Sequence, residues 1–324
     1  GRYYKYDLES FNDVDFPLFD PDLLTVGISA MEDSLKSDFA AGSPNGTERT
    51  SQSDNGTLFK FNTSYQFTPD LLSYFTVSEG YRIGDSNGIG DCDAYDPNDN
   101  QQGACALAPG QQYGPNEFST RDERQYLPDK TTNYELGFKS TLAGGRATLN
   151  GAIYYIEWTD PQLSSATINA SIPITVNADG AESKGFELNG SWLVTDAFSV
   201  RGSYSHTEAS LTALAPGLVG TISPPGFGSV LLDGQDGDRL PGSPEDQLSV
   251  FATYVMPLAN GRELTFNGGY AWQGDVLTRT GGRGDGVTLD SFGVANVSAV
   301  YDTGPWKATL FVNNLFDEYY ETGI

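Results

Sequence analysis

An antiparallel up-and-down β-barrel that crosses a membrane with its strands is the fold class predicted for this 324-residue chain. Three observations predict it. Segments in which apolar and polar residues alternate recur along the chain, and tight turns and long loops alternate strictly between them. Hydrophobic residues make up only 38% of the chain, and no apolar run reaches the roughly 18 residues that a helical span requires. A barrel tolerates this composition because only every second strand residue meets lipid.

The first strand is read at about 2–11, followed by a long loop at about 12–56. In strand 57–67, Phe59, Phe61, Thr63, Tyr65 and Phe67 share one face, and Leu58, Lys60, Asn62, Ser64 and Gln66 share the other, as a period of two requires. Thr68-Pro69-Asp70 turns it into strand 71–82, and a loop at 83–130 follows. Strand 131–142 turns at Ala143-Gly144-Gly145 into 146–158, where Leu149, Ile153 and Tyr155 oppose Thr148, Asn150 and Tyr154. After a loop at 159–182, strand 183–193 turns at Thr195-Asp196-Ala197 into 198–208. After a loop at 209–246, strand 247–257 turns at Ala259-Asn260-Gly261, a sequence that accepts positive φ, into 263–273. The last long loop is 274–290. Strand 291–302 then turns at Thr303-Gly304-Pro305 into 306–316.

Short turns at one end and long loops at the other are the layout of an outer-membrane barrel, with the turns in the periplasm and the loops outside the cell. The polar faces suit a watery or plugged lumen. Phe59, Phe61, Leu264, Phe266, Leu310 and Val312 are expected on the lipid face, and Asn62, Asn150, Asn267 and Thr309 on the other. The eleven strands are an odd number, and an open sheet in hydrocarbon leaves unpaired edges. The chain is therefore read as one domain, 1–324, belonging to a larger barrel of which it supplies about 11–12 strands.

With 18 Lys and Arg against 43 Asp and Glu, the net charge is −25, which argues against nucleic acid as a partner. The one histidine, His206, leaves little scope for acid–base or metal chemistry. Nucleophile-elbow, Walker and zinc-protease patterns are absent, so no enzyme activity and no cofactor are expected. Asp233-Gly234-Gln235-Asp236-Gly237-Asp238 spaces its oxygens like a calcium loop, but Pro244 stands where the closing glutamate belongs, so no metal site is expected there. Cys92 and Cys105 share the loop 83–130 without the further ligands of a zinc site. A disulfide is expected, stabilising by about 3 kcal/mol through loop entropy and formed in an oxidising compartment.

Four stretches go beyond general barrel physics. Pro128-Asp129-Lys130-Thr131-Thr132-Asn133-Tyr134-Glu135-Leu136-Gly137-Phe138-Lys139 resembles the Pro-Glu-x-x-x-x-Tyr-Glu-x-Gly-x-Lys strand of TonB-dependent outer-membrane receptors, with Asp129 in place of the glutamate. Asn177 to Leu188 resembles that family's Asn-x-x-x-Ala-x-x-x-Gly-x-Glu strand through Asn177, Ala181, Gly185 and Glu187. Asn314-Leu315-Phe316-Asp317-Glu318-Tyr319-Tyr320 is similar to the segment near the end of those barrels, and Ser78-Glu79-Gly80-Tyr81-Arg82 to their Ser-x-Gly-Phe-Arg strand. The stretches fall in family order. The resemblance implies a 22-strand barrel, filled by an N-terminal plug and energised through TonB with ExbB and ExbD. The plug, the early strands and the closing strand are expected outside this sequence.

The resemblance implies active import of a scarce solute, of the siderophore–iron, vitamin B12 or oligosaccharide class, in the outer membrane of a Gram-negative cell. A passive porin-like channel and a non-transport surface protein or adhesin are the alternatives. Candidate ligand contacts are the loop cations Arg121, Arg124, Arg239, Arg279 and Arg283, which offer bidentate donors, and the rings of Tyr126, Tyr95, Tyr113, Phe118 and Phe227. Against this stands pairing of the arginines with loop carboxylates nearby, as in Arg121-Asp122-Glu123-Arg124. Glu135, Lys139 and Glu187 oppose the apolar side of their strands and would cost several kcal/mol in lipid, so they are expected in the lumen as structural groups.

Overall fold

A computed structural model describes residues 1–11, 49–87, 125–166, 173–222 and 230–322, and every structural statement concerns these. The strands are β1 (Arg2–Phe11), β2 (Arg49–Leu58), β3 (Lys60–Thr68), β4 (Leu71–Arg82), β5 (Asp85–Ser86), β6 (Gln125–Tyr126), β7 (Asp129–Leu142), β8 (Ala147–Thr159), β9 (Gln162–Ala166), β10 (Pro173–Asn177), β11 (Gly180–Thr195), β12 (Phe198–Leu211), β13 (Ala215–Ile222), β14 (Val230–Gly234), β15 (Asp246–Pro257), β16 (Glu263–Gln273), β17 (Val276–Leu277), β18 (Thr288–Leu289), β19 (Phe292–Asp302) and β20 (Lys307–Val312).

Ten of them form one antiparallel sheet in the order β20-β19-β16-β15-β12-β11-β8-β7-β4-β3, a meander in which successive long strands are neighbours. β1 pairs with β2 from Arg2↔Leu58 to Phe11↔Arg49. β2 runs on into β3 through Phe59, whose N–H donates to the Glu79 carboxylate (2.7 Å) and whose carbonyl accepts from the Glu79 N–H (2.9 Å). The two therefore make one stave with a break, and the eleven strands read from the sequence are present. Tyr4 of β1 stacks on Tyr81 of β4 at 3.7 Å between ring centroids, fastening this hairpin to the sheet.

The structure departs from the sequence reading in three main ways. The stave read as starting at 57 begins at Arg49; polar Arg49-Thr50-Ser51-Gln52-Ser53 has no apolar alternation to reveal it. The final strand, read to 316, ends at Val312. Asn314 and Asp317 there take φ of 49° and 54°, left-handed values that Asn and Asp tolerate best among residues with a side chain. The Asn314 side chain closes the turn on both sides of Glu318, accepting its N–H (3.0 Å) and donating to its carbonyl (2.9 Å). The third difference is that the long loops carry their own hairpins, β5–β6, β9–β10, β13–β14 and β17–β18, whose strands are short or, in β13, interrupted by Pro216 and Gly217.

Cross-strand register separates two faces. Asn62 opposes Thr76, Asn150 opposes Asn189, Asn267 opposes Ser298, and Val300 opposes Thr309. The first three pairs are hydrogen-bonded side chain to side chain, at 2.6, 3.0 and 3.2 Å. The intervening pairs carry the same face across the sheet. Phe61, Leu136, Leu188, Val250, Phe266 and Leu310 fall on the other face and are all exposed. A face of exposed large apolar side chains is stable only against hydrocarbon, which makes the polar face the lumen.

The buried core lies in the loop layer, not between the barrel faces. Ile174, Val176, Ala178, Ala181, Leu211, Ala215, Leu218 and Leu240 form one cluster with Trp158 and Leu163 packed against it. It is built from the β9–β10 and β13–β14 hairpins and the upper ends of β11 and β12, so the long loops brace one another above the barrel.

Candidate functional site at the loop bases and the lumen wall

Three of the four family-like stretches converge at the base of the loops. Asp129, which opens β7 and is 1% exposed, accepts two bonds from Arg82 Nε (3.1 and 3.0 Å), a closer one from the other end of the same guanidinium, one from Trp158 Nε1 (2.9 Å) and one from the Gln162 N–H (3.2 Å). The Arg82 guanidinium also lies over the Trp158 ring, 5.2 Å from its centroid. Two residues before Asp129, Leu127 donates its N–H to Asn177 Oδ1 (2.6 Å), and the Asn177 amide donates to the carbonyls of Leu127 (3.0 Å) and Asp160 (2.7 Å). Gln162 ties the carbonyls of Ile83 and Leu127. Residues far apart in sequence thus fix where two long loops, 83–130 and 159–182, leave the sheet. Burial raises the Asp129 carboxyl, but the bonds from Arg82, Trp158 and Gln162 outweigh it and hold the group below its ordinary range.

Asp129→Asn removes the charge that Arg82 faces. Losing a buried pair costs about 3–5 kcal/mol, and half-exposed Arg82 reduces this to about 2 kcal/mol through solvent screening. The depressed carboxyl gives stability that is complete above the unfolded value of about 3.9 and is lost as pH falls through the lower folded value. Urea titrations of the refolded barrel at pH 7 and pH 3 should therefore give a pH-dependent gap between wild type and Asp129→Asn. An equal gap at both pH values would refute the assignment.

The loop cations among the described residues are engaged. Arg239 donates to the Asp275 carboxylate (2.7 Å) and carbonyl (2.7 Å) and pairs with Glu245 (3.3 Å). Arg283 grips Asp238 with two donors (2.8 and 2.6 Å) and the Asp233 carbonyl (2.9 Å). These are reciprocal clasps: an arginine from 209–246 holds an aspartate of 274–290, and the reverse. Arg279 pairs with Asp285 at 3.9 Å. Pairing with loop carboxylates, the competing sequence reading, describes all three, with the difference that Arg239 and Arg283 pair between loops. Asp238 and Asp233, candidate cation ligands by spacing, are taken up by Arg283 and by the Gly217 N–H (3.1 Å). No metal-ligating group of three is found among the described residues. Tyr126 lies half-buried in β6 and is held by Gln52, which donates to its carbonyl at 2.9 Å; its phenol is raised mainly by burial. Arg121, Arg124, Tyr95, Tyr113, Phe118, Phe227, Cys92 and Cys105 lie outside the described residues.

Glu135, Lys139 and Glu187 all fall on the polar face, in register with Thr76, Asn150 and Ser205. Tyr74 donates to Glu135 at 2.6 Å, and its ring crosses Gly137 to do so: the nearest atoms to a methyl placed there all belong to Tyr74. Tyr154 crosses Gly185 in the same way, with its hydroxyl on Thr207 at 2.5 Å. The two motif glycines thus admit a tyrosine from the next strand, a role that spacing alone does not reveal.

A family model, "TonB dependent receptor-like, beta-barrel", matches residues 5–315. The chain belongs to this family. As the motif order led one to expect, TonB-dependent receptor barrels are what it resembles throughout. The ferric-pyoverdine 358 receptor of Pseudomonas putida is 28% identical over 202 residues, which are 61% of this chain and 22% of that receptor. Among solved structures, the ferric yersiniabactin uptake receptor FyuA from Yersinia pestis superposes with a TM-score of 0.60 at 19% identity, covering 86% of this chain and 35% of the receptor. The siderophore receptor PiuA from Acinetobacter baumannii gives 0.57 at 17%, covering 86% and 34%. These likenesses are of fold, and the chain spans about a fifth to a third of the relatives' length.

Proposed function

We propose that this chain is the wall and loop-bearing part of an outer-membrane receptor that imports a ferric siderophore, energised through TonB with ExbB and ExbD acting on a plug. The observation that carries the reading is the family match over residues 5–315, and the kinship with a ferric-pyoverdine receptor narrows the solute classes toward siderophore–iron. The braced loop layer supports it, because capture of a scarce solute is favoured by loops held in place before binding. Ligand contacts are assigned to Arg121, Arg124, Tyr95, Tyr113 and Phe118 of the acid-rich loop 83–130, and to Phe227. Arg239, Arg279 and Arg283 contribute by shaping the mouth. A disulfide between Cys92 and Cys105 would hold the first of these loops.

Uptake of radioactive iron as ferric pyoverdine, by cells making the full-length receptor as their sole candidate route, tests this. Uptake should fall to background when an uncoupler removes the proton-motive force. Uptake that survives the uncoupler points to a passive channel, and the absence of iron uptake rejects the siderophore assignment.

A further inference from the structure

Between β8 and β19 the polar face carries a lattice of neutral side-chain pairs, Thr148–Ser191 and Ser203–Ser249 at 2.8 Å and Thr253–Asn267 at 3.0 Å. A groove of about 550 Å³ lies on this lattice, and Arg201 is the one charged residue in its lining. Its guanidinium sits 4.4 Å from the centroid of the Phe251 ring. Phe251 is the cross-strand partner of Arg201 on this face. It lies opposite Gly269, and a methyl added there would stand 3.2 Å from the ring. The glycine gives the ring room, and the ring orients the guanidinium by cation–π attraction.

Five described arginines are held by carboxylates; Arg201 and the turn residue Arg262, which donates to the Tyr301 hydroxyl, are not. Arg82, Arg146, Arg239, Arg279 and Arg283 each have a carboxylate partner. Among the described residues none lies within ion-pair distance of Arg201, although the chain carries 43 Asp and Glu. The residue is also far from the capture loops: it stands close after the short turn that precedes Phe198, at the opposite end of β12.

We propose that Arg201 is an oxyanion-binding post on the lumen wall near the periplasmic end, taking a carboxylate or phosphate group in this groove. The proposal rests on the polar face being the lumen of an importer. The planar fork of arginine accepts such a group bidentately, and Ser191, Ser203, Ser249 and Asn296 supply neutral donors around it. The oxyanion has two sources: a solute in transit, or an acidic side chain of the segment that fills the lumen.

Chemical modification and permeability separate them. In the full-length receptor in detergent, phenylglyoxal labelling of Arg201 is followed by peptide mass spectrometry, with Arg262 in the β15–β16 turn as the exposed reference. A lumen-filling carboxylate should slow Arg201 about tenfold without added anion, as expected of a charge-assisted bidentate bond. It should also make cells carrying Arg201→Glu, but not Arg201→Lys, more permeable to a large hydrophilic antibiotic. A transiting solute should leave labelling fast, slowed about fivefold by citrate, with permeability unchanged. Two results overturn the proposal: labelling as fast as at Arg262 and indifferent to citrate, or slow labelling with unchanged permeability in a folded Arg201→Glu receptor. Neither readout needs transport, so failure of the import reading is distinguishable from failure of this site.

Discussion

Leu188→Arg is expected to destabilise the folded barrel by about 2–4 kcal/mol, the depth-dependent cost of a cation on the lipid face near the bilayer midplane. Asn189→Arg, one residue away on β11, is expected to stay within about 0.5 kcal/mol of wild type, as for a solvated surface site. The contrast follows from register. Leu188 opposes Gly151 and Tyr204 on the apolar face, and Asn189 opposes Asn150 and Ser203 on the polar face. Leu188 also packs over Gly151, which a Cβ would obstruct, so Leu188→Ala is the control for lost packing. Urea titration of each variant refolded into lipid vesicles gives the three values. Equal costs for the two arginines would mean that the faces are mixed and that the lumen has been assigned to the wrong side.

That contrast was legible in the sequence because a period of two needs no tertiary information: Leu264, Phe266 and Trp272 against Thr265, Asn267 and Gln273 already divide β16 into two faces. The turns were legible for a local reason as well. Asn260 and Gly261 take φ of 65° and 70° in the β15–β16 turn, as their residue types suggest. The loop layer was not legible. Its clasps, Arg239 on Asp275 and Arg283 on Asp238, link segments 36 and 45 residues apart. A long acidic loop offers each arginine several carboxylates, so sequence reasoning could see that pairing was available but could not choose the partner. The same limit hid Arg201. On its strand it is one polar residue among Ser199, Ser203 and Ser205, and only the neighbouring strand brings Phe251 beneath it. Asp129 was visible as a departure from the family's glutamate, but its partners Arg82 and Trp158 lie on other strands.

Gly185→Ala is expected to cost about 3 kcal/mol or more, above the usual 1–3 kcal/mol of overpacking, because the added methyl meets backbone. Gly185 sits between Tyr154 of β8 and Thr207 of β12. A methyl there would overlap both the Tyr154 hydroxyl and the carbonyl oxygen of His206. The tyrosine can rotate away. The carbonyl belongs to the β12 wall, and relieving that overlap means prying β11 from β12 in a layer where unpaired backbone groups face hydrocarbon on one side. Gly137 makes the comparison sharp, since the nearest obstacles there are all atoms of the Tyr74 ring. Gly137→Ala should therefore cost much less on a Tyr74→Ala background than in wild type, a strong coupling of the kind that neighbours in contact show. Gly185→Ala should cost nearly as much on a Tyr154→Ala background as alone. Four single variants and two double variants, measured by urea titration with folding checked by heat-dependent gel mobility, decide it. If Tyr154→Ala restores Gly185→Ala, the ring and not the β12 carbonyl sets the limit. The glycine would then be explained by the tyrosine alone, as at Gly137.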